Sequence, residues 1–179
     1  MKLPDRPRAA ILDDVEWKAQ HYERVHHGCA QCVLAALMET FDIVDPAAFR
    51  AASGLGGGVG LSAAGSCGGL TGGVLAFGLV CGRELSGMAD PDNRRRVAYG
   101  MANRLHERFV EAYGGSICSQ IHGRMLGRTY RLTDPADWKA FLEDGGHARV
   151  CPEVVGKAAR WATEILLDEA KGRAVRAAP

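Results

Sequence analysis

Four cysteines, Cys29, Cys67, Cys118 and Cys151, lie far apart in the chain yet share one local setting. Cys29 follows His27-Gly28, and Cys67 closes a glycine-rich loop ending Gly65-Ser66. Cys118 comes soon after Gly114-Gly115, and Cys151 comes after Gly145-Gly146 and before Pro152. Each position reads as a helix start. A helix N-terminus offers free backbone N–H groups and a partial positive charge. Both favour a thiolate, the form of cysteine that acts as nucleophile and metal ligand. Cysteines buried only as small apolar side chains have no reason to choose helix starts four times.

Two further residues come within reach of such a site. Cys29-Ala30-Gln31-Cys32 is a C-x-x-C, with Cys32 on nearly the same helix face as Cys29, so a local dithiol is feasible. Val33 stands where a c-type haem site needs histidine, no βαβ pattern surrounds the pair, and no second C-x-x-C sits at zinc-ribbon spacing. His122 lies one turn after Cys118, placed to hydrogen-bond a sulfur or replace a thiolate. His26 and His27, just before Cys29, have the same option. His21, His106 and His147 are expected at the surface, and Cys81 in the core.

The elements that must position these residues read as helices. Residues 13–27 carry Val15, Ala19, Tyr22 and His26 on one face, with Asp13 and Asp14 near the positive end. A second helix begins at Cys29 and runs to about Phe41. Asp45-Pro46 starts a short third, with aspartate as cap and proline in the first turn. The glycines of residues 53–65 call for positive φ or close backbone approach, although no phosphate-loop pattern is present. From Cys67 to Cys81 the chain is apolar nearly all round, which predicts a buried central helix. Gly68 and Gly72, and Gly69 and Gly73, leave a strip free of side chains there, for close helix packing or for a bulky group beside Cys67. Asp90-Pro91 starts the longest helix, to about Tyr113. Short helices follow from Cys118 and from Asp134-Pro135, and Cys151-Pro152 opens the last, with a tail frayed after Lys171. Strand-like alternation is nearly absent. The expected fold is a single all-α domain over 1–179, with a core of about 13–171. It is a bundle of about five to seven helices around the glycine-rich apolar helix.

Composition narrows the function classes. The chain has 179 residues, enough for one domain with a real core. Lys plus Arg is 22 against Asp plus Glu 21, which argues against a nucleic-acid or membrane-surface protein. The longest apolar run is too short to span a bilayer, and no apolar region follows the basic N-terminus, so no membrane insertion and no signal peptide are expected. A cytoplasmic address follows by default. In that reducing compartment six cysteines point to metal binding or redox chemistry rather than disulfides.

Cys29-Ala30-Gln31, then Cys67-Gly68-Gly69-Leu70-Thr71-Gly72, then Phe109 followed by Gly115-Ser116-Ile117-Cys118, then Cys151, resemble the C-GCAxxG-C-C family of redox-active proteins. The likeness covers roughly residues 23–167. By position the family's cysteines fall on Cys29, Cys67, Cys118 and Cys151. Gly69 stands where that family usually has alanine. Cys32 and Cys81 are additional, and Cys32 is an alternative to Cys151 as fourth sulfur. The resemblance implies a redox role, with an oxidoreductase as redox partner protein, and leaves a homodimer open. Relatives joined to haem-bearing segments suggest electron transfer.

Three functions follow. In the first, the four cysteines hold an iron–sulfur cluster, [2Fe–2S] or [4Fe–4S], and pass electrons. In the second, the chain is a metal-free thiol–disulfide enzyme or sensor using Cys29 with Cys32 or Cys67. In the third, zinc staples a non-catalytic interaction domain.

Overall fold

The structure, a computed structural model, describes residues 1–177, with side chains through residue 172. Eight α-helices form among the described residues, and no strand does. They are α1 (Arg8–His26), α2 (Cys29–Thr40), α3 (Pro46–Ala51), α4 (Gly68–Cys81), α5 (Arg94–Tyr113), α6 (Cys118–Leu126), α7 (Pro135–Glu143) and α8 (Cys151–Ala177). The all-α single domain is as the sequence predicts. The helix number exceeds the expected five to seven and equals the eight helix starts read one by one along the sequence, with α3, α6 and α7 the short ones at no more than nine residues.

Helix ends follow local chemistry, with two differences from expectation. Asp45 caps α3 by accepting from Ala48 N–H at 2.9 Å, and Asp134 caps α7 from Ala136 and Asp137. α1 starts earlier than residue 13, because Ile11 and Leu12 bury on its inner face. Asp13 and Asp14 therefore lie past the first turn and pair with Arg160 and with Arg6 and Lys18. α5 begins at Arg94 rather than Asp90. The buried Asp90 carboxylate instead accepts from the N–H groups of Arg94 and Arg95, so it caps the helix from outside. At the other end of the chain α8 continues past Lys171 to Ala177; residues 178 and 179 of the expected tail lie outside the described residues.

α4 packs against α2, α5 and α8, and α8 also lines α1. Phe41, Phe77, Phe109, Leu34, Leu37, Leu105, Ile165 and Leu166 fill the space between them, fully buried. Each such side chain contributes about 1.5–3 kcal/mol. α4 is not enclosed on every side, since Val74, Gly78 and Leu79 face solvent. Its glycines serve close packing: a Cβ at Gly72 would strike Ala30 of α2, and one at Gly73 would strike Leu105 of α5.

A second, smaller apolar cluster joins Ala63, Cys118, Tyr130, Leu132 and Phe141, with Trp138 and Cys151 packed against it. Cys29 and Cys67 belong to the main core. The four cysteines thus meet on the seam between two apolar clusters.

Candidate functional site

Cys29, Cys67, Cys118 and Cys151 all line one cavity of about 150 Å³. That is about ten times the space a single water needs. Its walls come from the ends of α1, α2 and α4, from α6 and α8, and from the glycine loop.

The glycine loop does the local work of closure. Residues 57–61 all have positive φ, between 59° and 72°, and Ala63 follows at 58°. Gly57, Gly58 and Gly60 adopt this at little cost, whereas Val59 and Leu61 each cost about 1–2 kcal/mol. Backbone strain of this kind persists where the surroundings over-determine it, often at functional sites. Here Leu61 is brought onto the cavity wall, and Gly58 lies so close to Cys118 that an added Cβ would sit 2.8 Å from its Cβ. An isolated antiparallel bridge between Ser66 and Ile117 then ties the two neighbouring cysteines together. Cys67 N–H donates to Ser116 O at 2.8 Å, and Cys118 N–H donates to Gly65 O at 3.0 Å.

All four sulfurs lie at helix starts, as predicted. Cys29, Cys118 and Cys151 are the first residues of α2, α6 and α8, and Cys67 is the N-cap of α4. Cys151 differs in what precedes it. A π-turn over Gly146–Val150 runs directly into α8, and Cys151 N–H donates to Gly146 O. The free N–H end therefore lies upstream of Cys151. Amide donors reach the other sulfurs unevenly. The backbone N–H groups of Gly57, Ala30 and Gly68 point at Cys29, and those of Gly69 and Leu70 point at Cys67.

These amides do not make the thiols acidic. Burial pushes Cys29 up to about 11 and Cys118 up to about 12, and holds Cys67 and Cys151 well above the usual thiol range. Desolvation of a thiolate in an apolar cavity outweighs the helix-start advantage. Repulsion from neighbouring sulfurs adds to it at Cys67, Cys118 and Cys151, and repulsion from Glu23 adds to it at Cys29.

Other residues fall differently from expectation. Cys32 lies outside the cavity. Its Sγ donates to His27 O at 3.1 Å, and it borders an open groove with Tyr22, Gln31, Glu39 and Phe49. His122 is in the wall, 2% exposed, with Nε2 3.6 Å from Cys118 Sγ and Nδ1 unpartnered. Burial pushes it down to about 4. His21 and His106 are exposed as expected, but His147 is not a surface residue. The π-turn carries it into the cavity wall, where the rings of His27, Trp138 and Phe141 lie 4.4, 5.2 and 5.3 Å from its own. Desolvation lowers it to about 4 as well. Cys81 is buried at the far end of α4, in the core.

Glu23 was not singled out by sequence reasoning. Its side chain is 1% exposed and lines the cavity. Burial pushes its carboxyl up to about 7. A signal for it existed: Val15, Ala19 and Glu23 are spaced by four and share the buried face of α1. Glu23, His147 and Cys151 bring their donor atoms within 4.8 Å of one another, a group able to hold a metal ion.

No helix among the described residues is long and apolar enough to cross a membrane. No curated protein and no solved structure matches the chain. One family does: the family model described as "Putative redox-active protein (C_GCAxxG_C_C)" matches residues 27–165, a stretch that contains all four cavity cysteines. A match over well over half the chain, centred on the sulfurs that the fold gathers, shows that the chain belongs to the C-GCAxxG-C-C family of redox-active proteins.

Proposed function

We propose that this chain is an electron-transfer protein whose cavity holds an iron–sulfur cluster through Cys29, Cys67, Cys118 and Cys151. The observation that carries the reading is the meeting of four cysteines in one apolar cavity, where burial raises the pKa of each thiol. Among the described residues no lysine or arginine lines that cavity to balance a thiolate. A soft metal centre supplies the missing positive charge and takes the place of the thiol protons. Four thiolates are also the usual complement of a cluster.

Such a cluster, when bound, passes single electrons at a potential set by hydrogen bonding and burial. The residues of this chain set those terms. Amides of Gly57, Ala30 and Gly68 serve the Cys29 sulfur, and amides of Gly69 and Leu70 serve Cys67. They stabilise the added charge of a reduced state. Leu61, Ile121, Leu132, Val154 and Val155 limit water. A redox partner protein, an oxidoreductase, completes the reading, and a cytoplasmic address suits six thiols.

The test is purification without oxygen, followed by a visible spectrum and assays of iron and acid-labile sulfide. Brown protein with iron and sulfide in equal amounts is expected. Colourless, iron-free protein with four titratable cavity thiols would overturn the proposal, and zinc without sulfide would replace it with the zinc-stapled reading.

One observation favours a second reading, thiol–disulfide exchange through Cys29 and Cys32. The two share the first turn of α2, and Cys32 borders the open groove. Burial works against it, because the Cys29 thiol lies far above the ambient pH at which an attacking thiol is most effective. Differential alkylation that finds one unusually acidic thiol would favour it.

A further inference from the structure

Two of the donors that face the cavity without partners are not sulfurs. Glu23 Oε2 is buried without a geometric hydrogen-bond partner, although the nearby Cys32 thiol offsets part of the carboxyl's upward shift, and His147 Nδ1 is buried and has no partner either. Glu23 Oε1 and His147 Nδ1 lie 3.7 Å apart. That is too long for a hydrogen bond. It is near the separation of about 3.4 Å between two nitrogen or oxygen ligands of one tetrahedral ion. Cys151 Sγ completes a trio within 4.8 Å. His147 and Cys151 are four residues apart, a spacing that suits two ligands of one ion on a shared helical face. The rings of His27, Trp138 and Phe141 pack around the His147 imidazole, and Glu23 sits on the buried face of α1.

We propose that Glu23, His147 and Cys151 bind one divalent transition-metal ion of the Zn²⁺ or Fe²⁺ class, beside the four-cysteine site and in addition to it. One carboxylate, one imidazole and one thiolate select a borderline metal over Mg²⁺ or Ca²⁺, which take oxygen ligands. The Cys151 thiolate is common to both sites, and its sulfur has lone pairs for two metals. Three protein ligands leave a fourth coordination position open, the arrangement of a reactive rather than a purely structural ion. The ion relieves two buried polar atoms that the fold otherwise leaves unsatisfied.

The experiment uses Co²⁺ as the probe on the full chain. In a Cys29→Ser/Cys67→Ser/Cys118→Ser variant the cluster site is gone while the trio remains. One Co²⁺ per chain is expected to bind, with tetrahedral ligand-field bands and thiolate-to-cobalt charge transfer from a single sulfur. Adding Glu23→Gln or His147→Ala is expected to weaken that binding at least tenfold. Unchanged Co²⁺ affinity in both added variants overturns the proposal, as does the absence of Co²⁺ binding in a variant whose circular dichroism matches the parent. If the serine variant does not fold, zinc-edge X-ray absorption of the unmutated chain decides: a mixed sulfur and nitrogen/oxygen shell is expected, and an all-sulfur shell overturns. Iron and sulfide content report separately on the four-cysteine cluster, so either proposal can fail without the other.

Discussion

Gly68 of α4 faces the sulfur of Cys29 across the α2–α4 contact so closely that a Cβ at position 68 would overlap it. The same backbone donates its N–H to that sulfur. A glycine that looks like a packing device is thus the floor under one of the cavity sulfurs. Gly68→Ala should shift Cys29, lower bound iron or Co²⁺ sharply, and destabilise the fold by about 1–3 kcal/mol through overpacking. Gly78→Ala is the control. It lies on the exposed face of the same helix with nothing within 4 Å of its added Cβ, and should stabilise by about 0.5–1 kcal/mol. Chemical denaturation and metal analysis of the two variants check the pair; equal metal loss in both would contradict this role for Gly68.

Metal uptake should release protons. All four cavity thiols are held protonated near neutral pH, so filling the four-sulfur site at pH 7 should displace about four protons per chain. Calorimetry of Zn²⁺ binding in buffers of different ionisation enthalpy counts them. Release of one proton or none would mean that the sulfurs are not the ligands.

The metal-free chain should lose stability at alkaline pH. Cys29 is raised in the folded state from 9.0 to about 11, so its contribution is fully present below 9 and is lost as pH rises through that interval. On the acid side His122 and His147 are lowered from 6.5 to about 4, so stability falls as pH drops from 6.5 toward 4. Glu23, raised from 4.5 to about 7, pulls the opposite way over part of that range. Glu23→Gln should therefore steepen the acid limb and raise the denaturation midpoint at pH 8. Urea midpoints of the reduced, metal-free protein across pH 4–11 test all three limbs.

Cys67→Ser should abolish cluster binding, because Cys67 lines the cavity and is tied by the Ser66–Ile117 bridge to Cys118. Cys81→Ser should leave the visible spectrum intact and cost about 1–3 kcal/mol for burying a hydroxyl in the core. A colourless Cys81→Ser variant that is still folded would show that the site reaches further along α4.

Trp138 gives an optical reporter. It lines the cavity beside His147, while Trp17 is 61% exposed and Trp161 packs edge-to-face on Phe109 and tilted against Tyr113 beside the main core. Co²⁺ binding should quench tryptophan emission, and Trp138→Phe should remove most of that quench.

Much of this was legible because the signals are local. Asp45-Pro46 and Asp134-Pro135 announce helix starts through a cap and a fixed φ, and both helices begin there. The glycine density of residues 53–65 announces positive φ, and six consecutive or near-consecutive residues adopt it. The four cysteines share one local setting, and one cavity collects them. His147 was misplaced because a π-turn shifts its direction, and a π-turn leaves no composition signature in Gly146-His147-Ala148-Arg149-Val150. Glu23 was passed over because a lone carboxylate on a helix normally faces water.

By itself the sequence determined the all-α class and most of the helix starts, and it singled out the four cysteines that one cavity collects, since backbone propensity, capping and glycine spacing act over a few residues. Only the tertiary structure decided the chemistry those sulfurs can do. Their protonation is set by desolvation, which depends on what the whole fold packs around them, and that burial outweighs the helix-start effect that favours thiolate. The tertiary structure also turned the second face of the C-x-x-C away, sending Cys32 to a groove while Cys29 meets Gly68, and it brought Glu23 and His147 in beside Cys151. No spacing rule links residue 23 to residue 147. Only the packing of α1 against the π-turn that leads into α8 does.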